Sequence, residues 1–127
     1  MLVFDTNFLI SFLKGDQVAK RKLESYDEPI TTTAINAFEL LYGYHLVKDS
    51  KAVETAMGLL NSVSTLPFDL EASGIASGIA ADLARKGRML EHMDILTAAV
   101  ALKHGATLVT KNIRHFSRIQ KLKVEAW

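Results

Sequence analysis

The sequence predicts an α/β domain built on a mainly parallel sheet, and three observations point there. Short apolar or β-branched runs alternate along the chain with segments of helical length and spacing. The first run, Leu2-Val3-Phe4, is apolar on successive residues, as in a strand buried on both faces. The chain has 127 residues and no internal repeat, low-complexity tract or linker, so residues 1–127 make a single domain.

The elements follow in order. Leu2-Val3-Phe4 is the first strand and runs directly into Asp5-Thr6-Asn7. Phe8 to Leu13 reads as a short buried helix stopped at Lys14-Gly15. Asp16 caps a second helix reaching to Tyr26, and Asp27-Glu28-Pro29 ends it because the residue before proline is driven out of the helical region. Ile30-Thr31-Thr32 is a brief β-branched strand. Helices follow from Ala34 to about Leu46 and from Lys51 to about Leu60, then a strand over Val63 to Phe68. Asp69 opens a long helix through Ile75, Ile79 and Leu83 to Arg85, closed by Lys86-Gly87. Met93 to Lys103 is apolar nearly all round, the mark of a helix buried on most sides. His104-Gly105 ends it, Ala106 to Thr110 is a strand, and Leu122 to Val124 is a last strand at the sheet edge.

Composition narrows the function. A formal net charge of +1 excludes a polycation built to coat nucleic acid. With no cysteine there is neither a disulfide frame nor a thiolate metal site. No stretch approaches the roughly 20 apolar residues of a membrane span, and no basic region with a long apolar run precedes the first strand. These features predict a cytoplasmic protein without a membrane partner.

Three carboxylates stand where carboxylates are costly. Asp5 ends a buried strand, at the edge of an α/β sheet where ligands collect. Glu39 follows Ile35 by four residues and precedes Tyr42 by three, which sets it beside an apolar stripe of Ile35, Phe38 and Tyr42. Asp94 lies in the first turn of the most apolar helix. Each also has a local reading: Asp5 as a helix cap, Glu39 snorkelling from the stripe edge, Asp94 favoured by the helix dipole. A divalent cation shared among them is the alternative that suits all three. Oxygen donors without cysteine or a histidine pair at ligand spacing favour Mg²⁺ or Mn²⁺ over Zn²⁺.

Four blocks then make the sequence resemble the PIN-domain ribonucleases, and among them the VapC-type toxins of toxin–antitoxin pairs. They are Asp5-Thr6-Asn7 after its strand, Phe38-Glu39-Leu40-Leu41-Tyr42-Gly43, Met93-Asp94-Ile95-Leu96-Thr97-Ala98-Ala99, and Thr110-Lys111-Asn112-Ile113-Arg114-His115-Phe116, together with Trp127. The resemblance implies a three-layer α/β/α domain and a Mg²⁺- or Mn²⁺-dependent endoribonuclease that leaves a 5′-phosphate and a 3′-hydroxyl. It implies that Asp5, Glu39 and Asp94 are the catalytic, metal-binding acids. Thr6 matches a small hydroxyl residue close to the metal, Asn7 a residue supporting the site from behind, and Thr110 and Asn112 a further wall. It also implies a homodimer and a VapB-type antitoxin whose tail covers the pocket. Many relatives carry a fourth acid at the position of Asn112 or His115; this chain has an amide and an imidazole there, which leaves one firmly held ion and an uncertain second.

The residues themselves add a pointer to RNA. Between Asp94 and Glu125 there is no acid, whereas Lys103, Lys111, Arg114, Arg118, Lys121 and Lys123 are basic. Lys111, Arg114 and Arg118 are the candidates to bind phosphates flanking the scissile one; for any one of them a solvated basic face is the competing reading. No covalent nucleophile is evident, and Asn7 replaces the second acid that an aspartyl-phosphate enzyme wants two residues after Asp5. The competing function is a PIN-like module that binds RNA or protein without cutting.

Overall fold

A computed structural model describes residues 1–127 and shows a five-stranded sheet in the order β3-β2-β1-β4-β5. The strands are β1 (Leu2–Phe4), β2 (Thr31–Thr33), β3 (Ser64–Leu66), β4 (Thr107–Val109) and β5 (Lys123–Glu125). All four pairings are parallel, with Val3 opposite Thr31 on one side and Leu108 on the other. The helices are α1 (Thr6–Leu13), α2 (Gln17–Glu24), α3 (Ala34–Leu46), α4 (Ser50–Ser62), α5 (Leu70–Arg85), α6 (His92–Lys103) and the single turn α7 (Ile113–Phe116).

The three layers follow from where apolar side chains fall. On one face, α5 and α6 pack against the sheet through Ala72, Ala76, Leu83, Ile95, Ala99 and Val100, meeting Val3 and Leu108. The many alanines let the two helices approach each other closely, since the i, i+3 and i+4 ridges there have little height. On the other face, Phe4, Phe8, Ala19 and Val109 form one cluster, and Leu9, Leu40, Ala56 and Leu60 another under α3 and α4. Burying a phenylalanine such as Phe8 contributes about 1.5–3 kcal/mol, and its ring lies 4.4 Å from that of Phe4.

Helix ends are set by short polar residues at the predicted places. Asp16, Asp49 and Asp69 each accept a backbone N–H from the first turn of α2, α4 and α5. Gly87 and Gly105 turn the chain out of α5 and α6 at φ of +63° and +60°, a region open to glycine without steric cost.

The structure departs from the expected stripe on α3. Phe38 and Tyr42 are 54% and 56% exposed and stack on each other in solvent, whereas Asn36 and Leu40 are the buried positions. The helix is rotated so that Leu40 packs with Leu9 of α1 and with Ala56 and Leu60 of α4. Glu39 is thereby turned toward the sheet's carboxyl edge rather than along an apolar flank. The one-turn α7 had no periodic signal to announce it.

Candidate active site

β1 and β4 are neighbours in the sheet, yet the chain leaves β1 toward β2 and β3 and leaves β4 toward β5. Their carboxyl ends therefore open a crevice at the switch point, the place where parallel α/β sheets collect ligands. Asp5 follows β1 and Thr110 follows β4, and the Asp5 amide donates to the Val109 carbonyl at 3.3 Å. A cavity of about 410 Å³ opens there.

Asp5, Glu39 and Asp94, from β1, α3 and α6, all line this cavity. Asp5 is 6% exposed, and its Oδ1 accepts the Phe8 amide at 2.9 Å, so it caps α1 while presenting its carboxylate to the cavity. The helix-cap and ligand readings of Asp5 are thus both realised. Burial pushes its carboxyl above the ordinary range, partly offset by hydrogen bonds from the Thr110 side chain and the Phe8 amide. Asp94 is raised too, first by burial and then by the negative charges of Glu39, Glu91 and Asp5, with His115 pulling the other way. Neither Asp5, Glu39 nor Asp94 has a lysine or arginine within ion-pair distance.

Glu39 is oriented by a relay the sequence reading missed. The Thr33 hydroxyl donates to Asn36 Oδ1 at 2.7 Å, Asn36 Nδ2 donates to the Thr6 hydroxyl at 3.0 Å, and Thr6 donates to Glu39 Oε1 at 2.8 Å. Thr33 also caps α3 by accepting the Asn36 amide. The available signal was Asn36 itself: an amide four residues before Leu40 shares its face of the helix and, once buried there, needs partners.

The remaining expected residues divide. Thr6, Asn7 and Asn112 line the cavity; Asn7 is exposed there. Thr110 is fully buried and its hydroxyl accepts the Asn112 amide at 3.0 Å, fixing the start of the wall. Arg118 and His115 line the cavity, whereas Arg114 does not and Lys111 lies with Nζ 4.1 Å above the ring of Trp127. Lys103 is likewise occupied, paired with Asp69 and Glu71.

The donor set fits a hard divalent cation. Carboxylate and amide oxygens predominate, no lysine or arginine pairs with Asp5, Glu39 or Asp94, and the Thr97 hydroxyl, on a lining residue 2% exposed, has no hydrogen-bond partner. No three of the acidic side chains yet stand close enough to share one ion: they share the cavity, not a common point.

An all-parallel five-stranded domain with an acid-lined cavity at its switch point has the build of a PIN domain. The PIN domain family model matches residues 2–122, and the chain belongs to that family. Within it the likeness is to VapC proteins of toxin–antitoxin pairs. The chain is 27% identical over 127 residues to the tRNA(fMet)-specific endonuclease VapC of Shigella flexneri, covering 98% of this chain and 96% of that one. It is 30% identical over 130 residues to ribonuclease VapC1 of Rickettsia felis, covering 97% and 93%. Among solved structures it superposes on a chain of VapBC2 from Rickettsia felis bound to a promoter DNA fragment, with a TM-score of 0.88, 26% identity and coverage of 99% and 98%.

Proposed function

We propose that this protein is a metal-dependent endoribonuclease, the toxin of a VapBC-type pair, acting in the cytoplasm as a homodimer held in check by a VapB-type antitoxin. The observation that carries the reading is the convergence of Asp5, Glu39 and Asp94 from three elements on one cavity at the switch point. The names of the VapC relatives and the VapBC complexes among the structural neighbours support the substrate class and the partner. No helix is long and apolar enough to cross a membrane. The solvent-facing Phe38–Tyr42 stack, with Leu46 and Val47, is apolar surface of the kind that protein contacts cover.

Asp5, Glu39 and Asp94 would hold Mg²⁺ or Mn²⁺ through carboxylate oxygens. When bound, the ion would supply charge neutralisation at the phosphate and a water of lowered pKa. The chain's own groups do the rest. Thr6 fixes one oxygen of Glu39 and leaves the other free for the cavity. Asp5 is oriented by its cap bond to the Phe8 amide. Arg118, on the same lining, offers a permanent positive charge to an RNA phosphate.

The test is cleavage of RNA with added Mn²⁺ by the wild type and by Asp5→Asn. The wild type cuts and the variant does not; equal behaviour of the two removes the enzymatic reading and leaves a binding module.

A further inference from the structure

Glu91 occupies the position that begins α6, and its side chain makes no hydrogen bond to the helix it precedes. Every other helix of eight or more residues begins with a residue whose side chain does: Asp5, Asp16, Thr33, Asp49 and Asp69. Glu91 has no ion-pair partner either. It lines the same cavity as Asp94 and Thr97, which follow it by three and six residues along one helix face. Two acids at that spacing repel. The positive end of a helix rewards one acid in the first turn, but gives no reason to set two beside each other facing a cavity that already holds Asp5 and Glu39.

The rest of the lining beyond Asp5, Glu39, Glu91 and Asp94 holds no acid. After β4 the chain presents Asn112 and, from α7, His115 to the cavity, and neither carries a negative charge. From this placement we infer that Glu91 supplies the fourth carboxylate of the cation site, reaching it from the start of α6 in place of an acid on the β4–α7 loop. Together with Asp94 and the unpartnered hydroxyl of Thr97 it makes a column of three oxygen-bearing side chains along α6. The inference rests on the metal-dependent reading above.

Mn²⁺ binding, measured by titration calorimetry on the purified full chain without RNA, tests it separately from activity. Asp94→Asn loses most of the binding. Glu91→Gln weakens it by about tenfold, the usual loss for a supporting carboxylate at a metal site. Glu54→Gln, which alters net charge equally on an exposed face of α4 outside the cavity, leaves it unchanged. Adding His115→Asp to Glu91→Gln restores affinity, because an acid returns to the lining. Wild-type affinity in Glu91→Gln alongside a defective Asp94→Asn overturns the inference and spares the metal site. Wild-type affinity in Asp94→Asn overturns the metal site itself. Failure of the double variant to recover overturns the claim that one acid stands in for the other. Since Glu91 makes no cap bond, Glu91→Gln without metal melts at or above the wild-type temperature; a lower melting point assigns Glu91 to holding α6 and also overturns the inference.

Discussion

The hydroxyl of Thr6 donates to Oε1 of Glu39 across 2.8 Å, joining the first turn of α1 to the middle of α3. Because Asn36 donates to that same hydroxyl, and Thr33 to Asn36, the bonds all run one way and end on the carboxylate. A carboxylate held in this manner presents a fixed free oxygen to the cavity. Thr6→Val keeps the shape and removes the donor. Its cleavage rate with Mn²⁺ is expected to fall about 10–100-fold, as for other residues that orient a metal ligand. Its stability falls by about 1–3 kcal/mol, because the buried Asn36 amide loses its acceptor as well. Steady-state kinetics and a urea melt check the two halves; loss of folding without a specific rate defect would make Thr6 a packing residue.

Asp5 and Asp94 make the metal-free protein sensitive to pH. Burial raises both carboxyls in the folded state above their ordinary value of 3.8, so the unfolded chain releases these protons at lower pH than the folded one. Their effect on stability is therefore absent below the ordinary carboxylate range, and stability is lost as pH climbs from there through the raised folded values. Asp94→Asn removes one of the crowded charges. In chelator at neutral pH its melting temperature is expected to exceed wild type by a few degrees, the shift about 1 kcal/mol produces in a domain of this size. The gap closes as pH falls toward 4. Mn²⁺ then raises the wild-type melting point and not that of the variant. A variant less stable at neutral pH would show that the Asp94 carboxylate supports the fold.

Most of the fold was legible because its signals are local. The strand Leu2-Val3-Phe4, the caps Asp16 and Asp69, and the glycine exits at Gly87 and Gly105 each declare themselves within a few residues. The three acids were legible for a related reason: each is a charge in an apolar setting, and all three line one cavity. What could not be read depends on packing between elements. The rotation of α3 is decided by α1 and α4, so Phe38 and Tyr42 look like a core stripe and face solvent. Asn36 gains its importance from Thr6, thirty residues earlier in the chain. Glu91 stands just before α6 where no local pattern singles it out, and only the cavity it lines does so.

Trp127 illustrates a contact that ties distant segments together. Its ring meets Phe8 edge-on with centroids 5.1 Å apart, while Lys111 covers its face. The indole N–H is buried without a partner, so Trp127→Phe sheds an unsatisfied donor along with some packing. Trp127→Phe is expected to be near neutral, whereas Trp127→Ala costs roughly 2–3 kcal/mol, below the ~3–5 kcal/mol of a fully buried aromatic. Chemical denaturation separates them. Equal losses would mean that the N–H finds a partner after all.

Lys111 and Arg118 looked equivalent in the sequence and are not equivalent in space. Arg118 lines the cavity, has no carboxylate within ion-pair distance and is free to meet a phosphate. Lys111 is engaged with Trp127, a contact worth about 0.5–1 kcal/mol at an exposed site. Arg118→Ala is therefore expected to weaken binding of a single-stranded RNA uniformly across sequences and to reduce the slope of log affinity against log salt by about one contact. Lys111→Ala is expected to leave that slope unchanged and to lower stability slightly. Binding measured with Asp5→Asn, which does not cleave, at several salt concentrations distinguishes the two. If Lys111→Ala flattens the slope and Arg118→Ala does not, the RNA runs over the Trp127 side of the molecule, and the phosphate-binding role passes from Arg118 to Lys111.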